Sequence, residues 1–286
     1  MLTFILFPDF FHMGDQVQVR IEEMLPELAD LEENKIFSAA ELQKMMKTRK
    51  GYEIEIISKN ANLTQFRRYI QHEIAVESLK RLRQSKLNIK KLGVSNFSII
   101  RRAHYLYTRA LKKFSNDKDL WLEHIKFCAD SGSVNSLNKV IMRALRYHPR
   151  EAAFWSLAAD RQGKLGNVES ARNILLRGLR AKPIHPLPLW ESMLGLELMV
   201  ASKVVENIHT VQVVFDNAMT QLASEHEREA IAMSLYKQIR GMAGFDPLLE
   251  KCKNALLTLK GEEFIQALEE ESTGVDFIED TLPVVA

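Results

Sequence analysis

The sequence predicts an all-α protein, an α-solenoid of helix pairs with an N-terminal helical module, and three observations predict it. The phrase YTRAL ending at Leu111 returns as IMRAL ending at Leu145 and LLRGL ending at Leu179, 34 residues apart each time. A tryptophan keeps step with the phrase, at Trp121, Trp155 and Trp190. Within each copy the apolar residues fall at i, i+3, i+4, i+7 and i+8, one stripe of a 3.6-residue helix. A period of this size marks a two-helix unit that buries its apolar face only by stacking on its neighbours.

Residues 1–12, MLTFILFPDFFH, are apolar but too short to span a bilayer and lack a basic leader, so they read as an unstructured extension ahead of Met13. Residues 13–65 form the N-terminal helical module. In it Ser38 and Glu41 have the spacing of a capping box, opening a helix through Leu42, Met45 and Met46. The repeat region is expected over residues 66–260, starting with a tryptophan-less helix whose stripe is Phe66, Ile70 and Ile74. A basic linker, residues 80–98, follows it.

The second helices of the repeats carry the stripes Ala103, Leu106, Tyr107, Ala110, Leu111, then Leu137, Val140, Ile141, Ala144, Leu145, then Ala171, Ile174, Leu175, Gly178, Leu179. A fourth copy, Val211, Val214, Phe215, Ala218 and Met219, arrives 40 residues after the third, so the preceding loop has grown by about six residues. The small residue of each copy, Ala110, Ala144, Gly178 or Ala218, marks a close helix crossing where a larger side chain would overpack. The first helices place Leu120, Trp121, Ile125 and Phe127 on one face, and Leu189, Trp190, Leu194 and Leu196 on its counterpart. The Trp155 copy is thinner, with Ala159 and Arg161 at the later positions. Pro149 and Pro183 close two second helices, and Ser115-Asn116-Asp117 supplies turn chemistry after Leu111. Beyond Gly261 the phase vanishes, and residues 261–286 read as an acidic, disordered tail.

Charge is sorted along the chain. Its net value is +2, yet residues 44–182 hold 30 lysines and arginines against 11 acids. The densest run, KRLRQSKLNIKK, offers Lys80, Arg81, Arg83, Lys86, Lys90 and Lys91 as contacts for RNA phosphates or for an acidic partner segment. Arg109, Arg143 and Arg177 recur at one helical position. They fit ion pairs to neighbouring helices, or stems laid over apolar surface, better than a ligand ladder. The three tryptophans sit on apolar faces and read as core rather than as base-stacking platforms.

Catalytic constellations are absent from the sequence. There is no nucleophile elbow and no phosphate loop, and the eight histidines form no His-x-x-x-His pair. The two cysteines, Cys128 and Cys252, are too few and too scattered for a disulfide framework or a zinc site, and Cys128 reads as core filling. No enzyme activity, cofactor, metal or small-molecule substrate is expected.

The segment GNVESARNILLRGL, Gly166 to Leu179, behind a helix with a Leu-Trp pair resembles the half-a-TPR, or HAT, repeat more closely than the ordinary tetratricopeptide motif. The block RIEEMLPELADLEENKIFSAAELQKMMKTRKGYE, Arg20 to Glu53, with FRRYIQHEI, Phe66 to Ile74, resembles the U3 small nucleolar RNA-associated protein six family. That resemblance implies a HAT-repeat scaffold of the nucleolar small-subunit processome, supporting maturation of small-subunit ribosomal RNA. Its implied partners are other processome proteins and, directly or indirectly, the U3 small nucleolar ribonucleoprotein and pre-rRNA, with no membrane involved. Two other readings stay open: a HAT scaffold of splicing or pre-mRNA 3′-end processing, and an RNA-binding protein acting through the basic segment.

Overall fold

The computed structural model describes residues 16–90, 93–203 and 208–266. All regular structure among them is α-helical, beginning with residues 16–22. The helices that follow are α1 (Leu25–Glu33), α2 (Ala39–Ile57), α3 (Leu63–Lys86), α4 (Ser95–Lys113), α5 (Lys118–Asp130) and α6 (Val134–Tyr147). After them come α7 (Ala152–Lys164), α8 (Val168–Arg180), α9 (Leu187–Ala201), α10 (Ile208–Gln221), α11 (Glu225–Ile239) and α12 (Asp246–Lys260).

Local chemistry explains where many of these helices start. At Ser38 both halves of the capping box are made: the Glu41 amide donates to Ser38 Oγ, and the Ser38 amide donates to Glu41 Oε2 at 2.9 Å. Asn62 and Gln65 form a second box at the start of α3, at 2.8 and 3.0 Å. Asp117 accepts from the Leu120 amide at 2.7 Å and opens α5. Proline stands in the first turn of α1, α9 and α12, where its missing N–H leaves no helix bond unmade.

The chain divides into two compact units, Met1–Val140 and Ile141–Ala286, with the division inside α6. In the first unit α1 packs on α2 and α4, α3 on α2 and α4, and α4 on α5. In the second, α7 packs on α8 and α9, α9 on α8, α10 and α11, and α11 on α12. This chain of neighbour contacts is how helix-pair repeats bury their faces. One apolar cluster of the second unit runs from Trp190 through Phe215, Ile231 and Leu235 to Leu256. Another joins Ala159, Ala171, Leu175, Leu189 and Met193.

Several expectations change. Residues 80–86 are not a linker, because α3 continues to Lys86. The expected boundary between residues 65 and 66 is bridged by buried ion pairs, so the N-terminal module and the first repeat helices share one interior. Part of the growth before the fourth repeat lengthens α9 to 15 residues, where α5 and α7 have 13. The start of the acidic tail is ordered: residues 262–266 are helical, and Phe264 and Ile265 pack on the core of the second unit. Residues 1–12 and the remainder of the tail lie outside the described residues.

Candidate functional site

The repeat-defining residues take their expected places with one exception. Ala110, Ala144 and Ala218 are fully buried, and Gly178 is buried at the tightest crossing. A Cβ on Gly178 would meet Trp155 Cγ at 2.9 Å and Leu189 Cδ1 at 3.1 Å, so only glycine fits. Trp121 and Trp190 are core, and the Trp121 indole donates to the Ser115 carbonyl at 2.8 Å. Trp155 is the exception. Its indole makes the same bond to the Pro149 carbonyl at 2.8 Å, but the ring is only half-buried, because the thin face of α7 offers little to cover it.

The three recurring arginines have different surroundings. Arg109 donates to Glu53 of α2 at 2.8 Å, and its guanidinium also lies over the Tyr105 ring. Arg143 is half-buried and Arg177 is exposed.

The basic run divides sharply. Lys80, expected as a surface contact, is 1% exposed. Its ammonium pairs with Glu77 at 2.7 Å and donates to the Ser95 and Asn96 carbonyls at 2.9 and 3.1 Å, tying α3 to the first turn of α4. Arg81 also pairs with Glu77, at 2.8 Å. Arg83 grips Glu41 through two bonds, at 2.9 and 2.7 Å, and reaches the Ile36 carbonyl at 3.0 Å. Those bonds, led by the one from Arg83, hold the Glu41 carboxyl down at about 2. Lys86 and Lys90 are exposed, and Lys91 lies outside the described residues.

At the centre of the first unit lies a cluster that reading the apolar stripes misses. Arg49 of α2 bonds Glu73 of α3 twice at 2.8 Å and Glu27 of α1 at 3.0 Å. Arg102 of α4 bonds the same two acids, Glu27 at 2.6 Å and Glu73 at 3.1 Å. Two arginines and two glutamates from four helices thus form a closed, buried quartet. Burial opposes ionisation of Glu27, yet Arg102 and Arg49 outweigh it and hold that carboxyl at about 2. Burial and the neighbouring Glu73 push the Tyr69 hydroxyl the other way, far above its usual range.

The signal for the quartet was in the phase. On α3 the buried positions are Phe66, Tyr69, Ile70, Glu73, Val76, Glu77 and Lys80, so Glu73 holds an inward place and Ile74 is only half-buried. On α2, Arg49 and Glu53 continue the stripe of Leu42 and Met45. Charges on a buried stripe demand partners. Residue spacing shows that demand but not which helix meets it.

Asp30 of α1 adds a further long-range tie, accepting from the Ser95 amide at 2.8 Å and so capping α4 from outside. The fold also gathers His104, His124 and Cys128, which the sequence holds apart. On α5 the inward stripe is Leu120, Trp121, His124, Ile125 and Cys128, with Phe127 half-buried instead of fully inside.

Residues 21–102, the segment that contains all four quartet residues, match the family model described as U3 small nucleolar RNA-associated protein 6. A curated fission yeast relative, U3 small nucleolar RNA-associated protein 6 of Schizosaccharomyces pombe, is 35% identical over 193 residues, covering 67% of this chain and 39% of the relative. The Homo sapiens homolog is 30% identical over 273 residues, covering 94% of this chain and 42% of the relative. The Dictyostelium discoideum homolog is 28% identical over 222 residues, covering 77% of this chain and 35% of the relative. The chain therefore spans about two fifths of the length of these relatives. It belongs to the U3 small nucleolar RNA-associated protein 6 family.

Proposed function

We propose that this chain is a non-catalytic scaffold of the nucleolar small-subunit processome, acting by protein docking in the maturation of small-subunit ribosomal RNA. The observation that carries the reading is the match of residues 21–102 to a family named for association with U3 small nucleolar RNA. Stacked helix pairs suit the role, since they present extended surface from a core that needs no cofactor.

Direct RNA contact is secondary in this reading. Lys80, Arg81 and Arg83 pair with acids of the chain itself, which leaves Lys86 and Lys90 as the exposed lysines of the run among the described residues. On the outward face of α3, exposed Leu79 and Leu82 fall at i and i+3 from each other, and Lys86 continues the row. An apolar row ending in a cation suits a partner protein segment carrying apolar and acidic side chains better than it suits a bare phosphate backbone.

Affinity purification of the tagged chain, with identification of co-purifying proteins and RNA, tests the proposal. Processome proteins and U3 small nucleolar RNA are expected, and depletion of the protein should lower small-subunit rRNA maturation while sparing the large subunit. Leu82→Asp should reduce recovery of protein partners at all salt concentrations, whereas Lys86→Glu should do so mainly at low salt. Recovery of splicing or polyadenylation factors without processome proteins would overturn the reading.

A further inference from the structure

In the second unit Arg172 of α8 clasps Glu197 of α9 through two bonds, at 2.7 and 2.9 Å, closing a second helix onto the first helix that follows it. Two repeat periods earlier, Arg172 aligns with His104 and Glu197 with Cys128. The position that holds an ion pair in one repeat therefore holds an imidazole and a thiol in another, and His124 joins them from the turn before Cys128. All three side chains are ligands for a soft or borderline cation.

We propose that His104, His124 and Cys128 form a zinc site that staples α4 to α5. The three ligand atoms converge on one point between the helices. His104 Nδ1 lies 3.2 Å from His124 Nε2 and 3.8 Å from Cys128 Sγ, and all three atoms fall within 4.8 Å of one another. Around a tetrahedral zinc with ordinary bond lengths, nitrogen ligands lie about 3.3 Å apart and a nitrogen and a sulfur about 3.6 Å apart. The two contacts of His104 Nδ1 need to shift by only a few tenths of an ångström, and the separation of His124 and Cys128, within 4.8 Å, closes by a side-chain adjustment of up to about 1 Å.

The surroundings orient the donors. His104 Nε2 is 2.9 Å from Ser133 Oγ. With the ring proton on Nε2, His104 donates to that hydroxyl and turns the Nδ1 lone pair toward the other two ligands, the outer contact that metal-bound histidines characteristically make. The Tyr107 ring stacks on His124 at 4.7 Å between centroids, and Phe127 packs edge-on against His104 at 4.9 Å. The two imidazoles are thereby fixed in their planes. Zinc binding releases the Cys128 thiol proton to solvent, and the proton that His124 Nε2 shares with His104 moves to His124 Nδ1, so that both nitrogens of the former hydrogen bond carry lone pairs for the metal.

The test uses the full, untagged chain stripped of metal and titrated with cobalt(II), then zinc(II). One equivalent of cobalt should produce a thiolate-to-cobalt charge-transfer band, and zinc should erase it. Cys128→Ser should abolish the band, while Cys252→Ser, which removes the buried thiol of the second unit, should keep it. His104→Asn, at a half-buried position that leaves the thiol in place, should weaken metal binding at least tenfold and provides the result should Cys128→Ser fail to fold. Ser133→Ala should weaken it roughly tenfold or more by releasing the His104 ring. Absence of a band in the wild-type chain overturns the proposal. So does a band that survives Cys128→Ser, or cobalt affinity unchanged in His104→Asn.

Discussion

The two units bury different things. Among the described residues, the first unit buries Glu27, Arg49, Glu53, Glu73, Glu77, Lys80, Ser95 and His124, whereas the second buries a single polar residue of that kind, Glu197. The second unit instead assembles a long apolar cluster from Trp190 to Leu256. Both are helical stacks, so the difference is not one of fold class. An apolar stripe packs on any neighbour of suitable shape, but a buried arginine accepts only the neighbour that brings its carboxylate. The segment that matches the family is the one whose helices are matched mostly by charge, and the repeats beyond it are matched mostly by shape, with the Arg172–Glu197 clasp as their one buried charge tie among the described residues.

The quartet offers the largest test of this contrast. Arg49→Met should destabilise the protein by about 3–5 kcal/mol in urea unfolding, because it strands two buried carboxylates on Arg102 alone. Replacing Glu27, Arg49, Glu73 and Arg102 together with leucine or methionine should recover most of that loss, since a well-packed apolar substitute for a buried ion cluster is often neutral. If the fourfold variant is no more stable than Arg49→Met, the cluster contributes more than mutual satisfaction of its own charges.

Acid should separate the units next. The Glu27 carboxyl lies at about 2 in the fold against an ordinary 4.5, a depressed value, so its contribution is complete above pH 4.5 and disappears as pH falls through about 2. The difference corresponds to about 3 kcal/mol. Hydrogen exchange between pH 4.5 and 2 should therefore show amides of α1 to α4 losing protection before those of α9 to α12. Simultaneous loss would contradict the assignment of the polar interior to the first unit.

The smallest tests address shape in the second unit. Gly178→Ala should destabilise it by about 1–3 kcal/mol, because the new Cβ would press on Trp155 and Leu189. Gly195→Ala on α9 should do the opposite and stabilise by about 0.5–1 kcal/mol, since nothing lies within 4 Å of its Cβ position and alanine favours helix. Thermal melts that give both substitutions the same sign would break the packing account.

Much of the repeat geometry was legible in the residues. The interval between Leu111, Leu145 and Leu179 gave the helix pairs, and the small residue before each of those leucines marked the crossings, down to the glycine that Trp155 requires. The capping box at Ser38 was legible because its partners are three residues apart. Lys80 was misplaced on the surface because composition says that a basic run is exposed, while phase puts that one lysine on the buried face of α3. The His104, His124 and Cys128 cluster escaped because only His124 and Cys128 share a helix, four residues apart, and the third member comes from another helix.

The sequence by itself determined what is local: helix period, caps, turns, the position of close crossings, and a segment recognisable enough to give the family. The tertiary structure alone decided which charges meet. Glu27 and Arg102 are 75 residues apart, and Asp30 caps a helix that starts 65 residues later. Such pairings leave no periodic trace, because an ion pair across helices depends on how the helices are set against each other rather than on spacing along either one. Burial then decides their strength, since the same glutamate and arginine on an exposed face would be worth little.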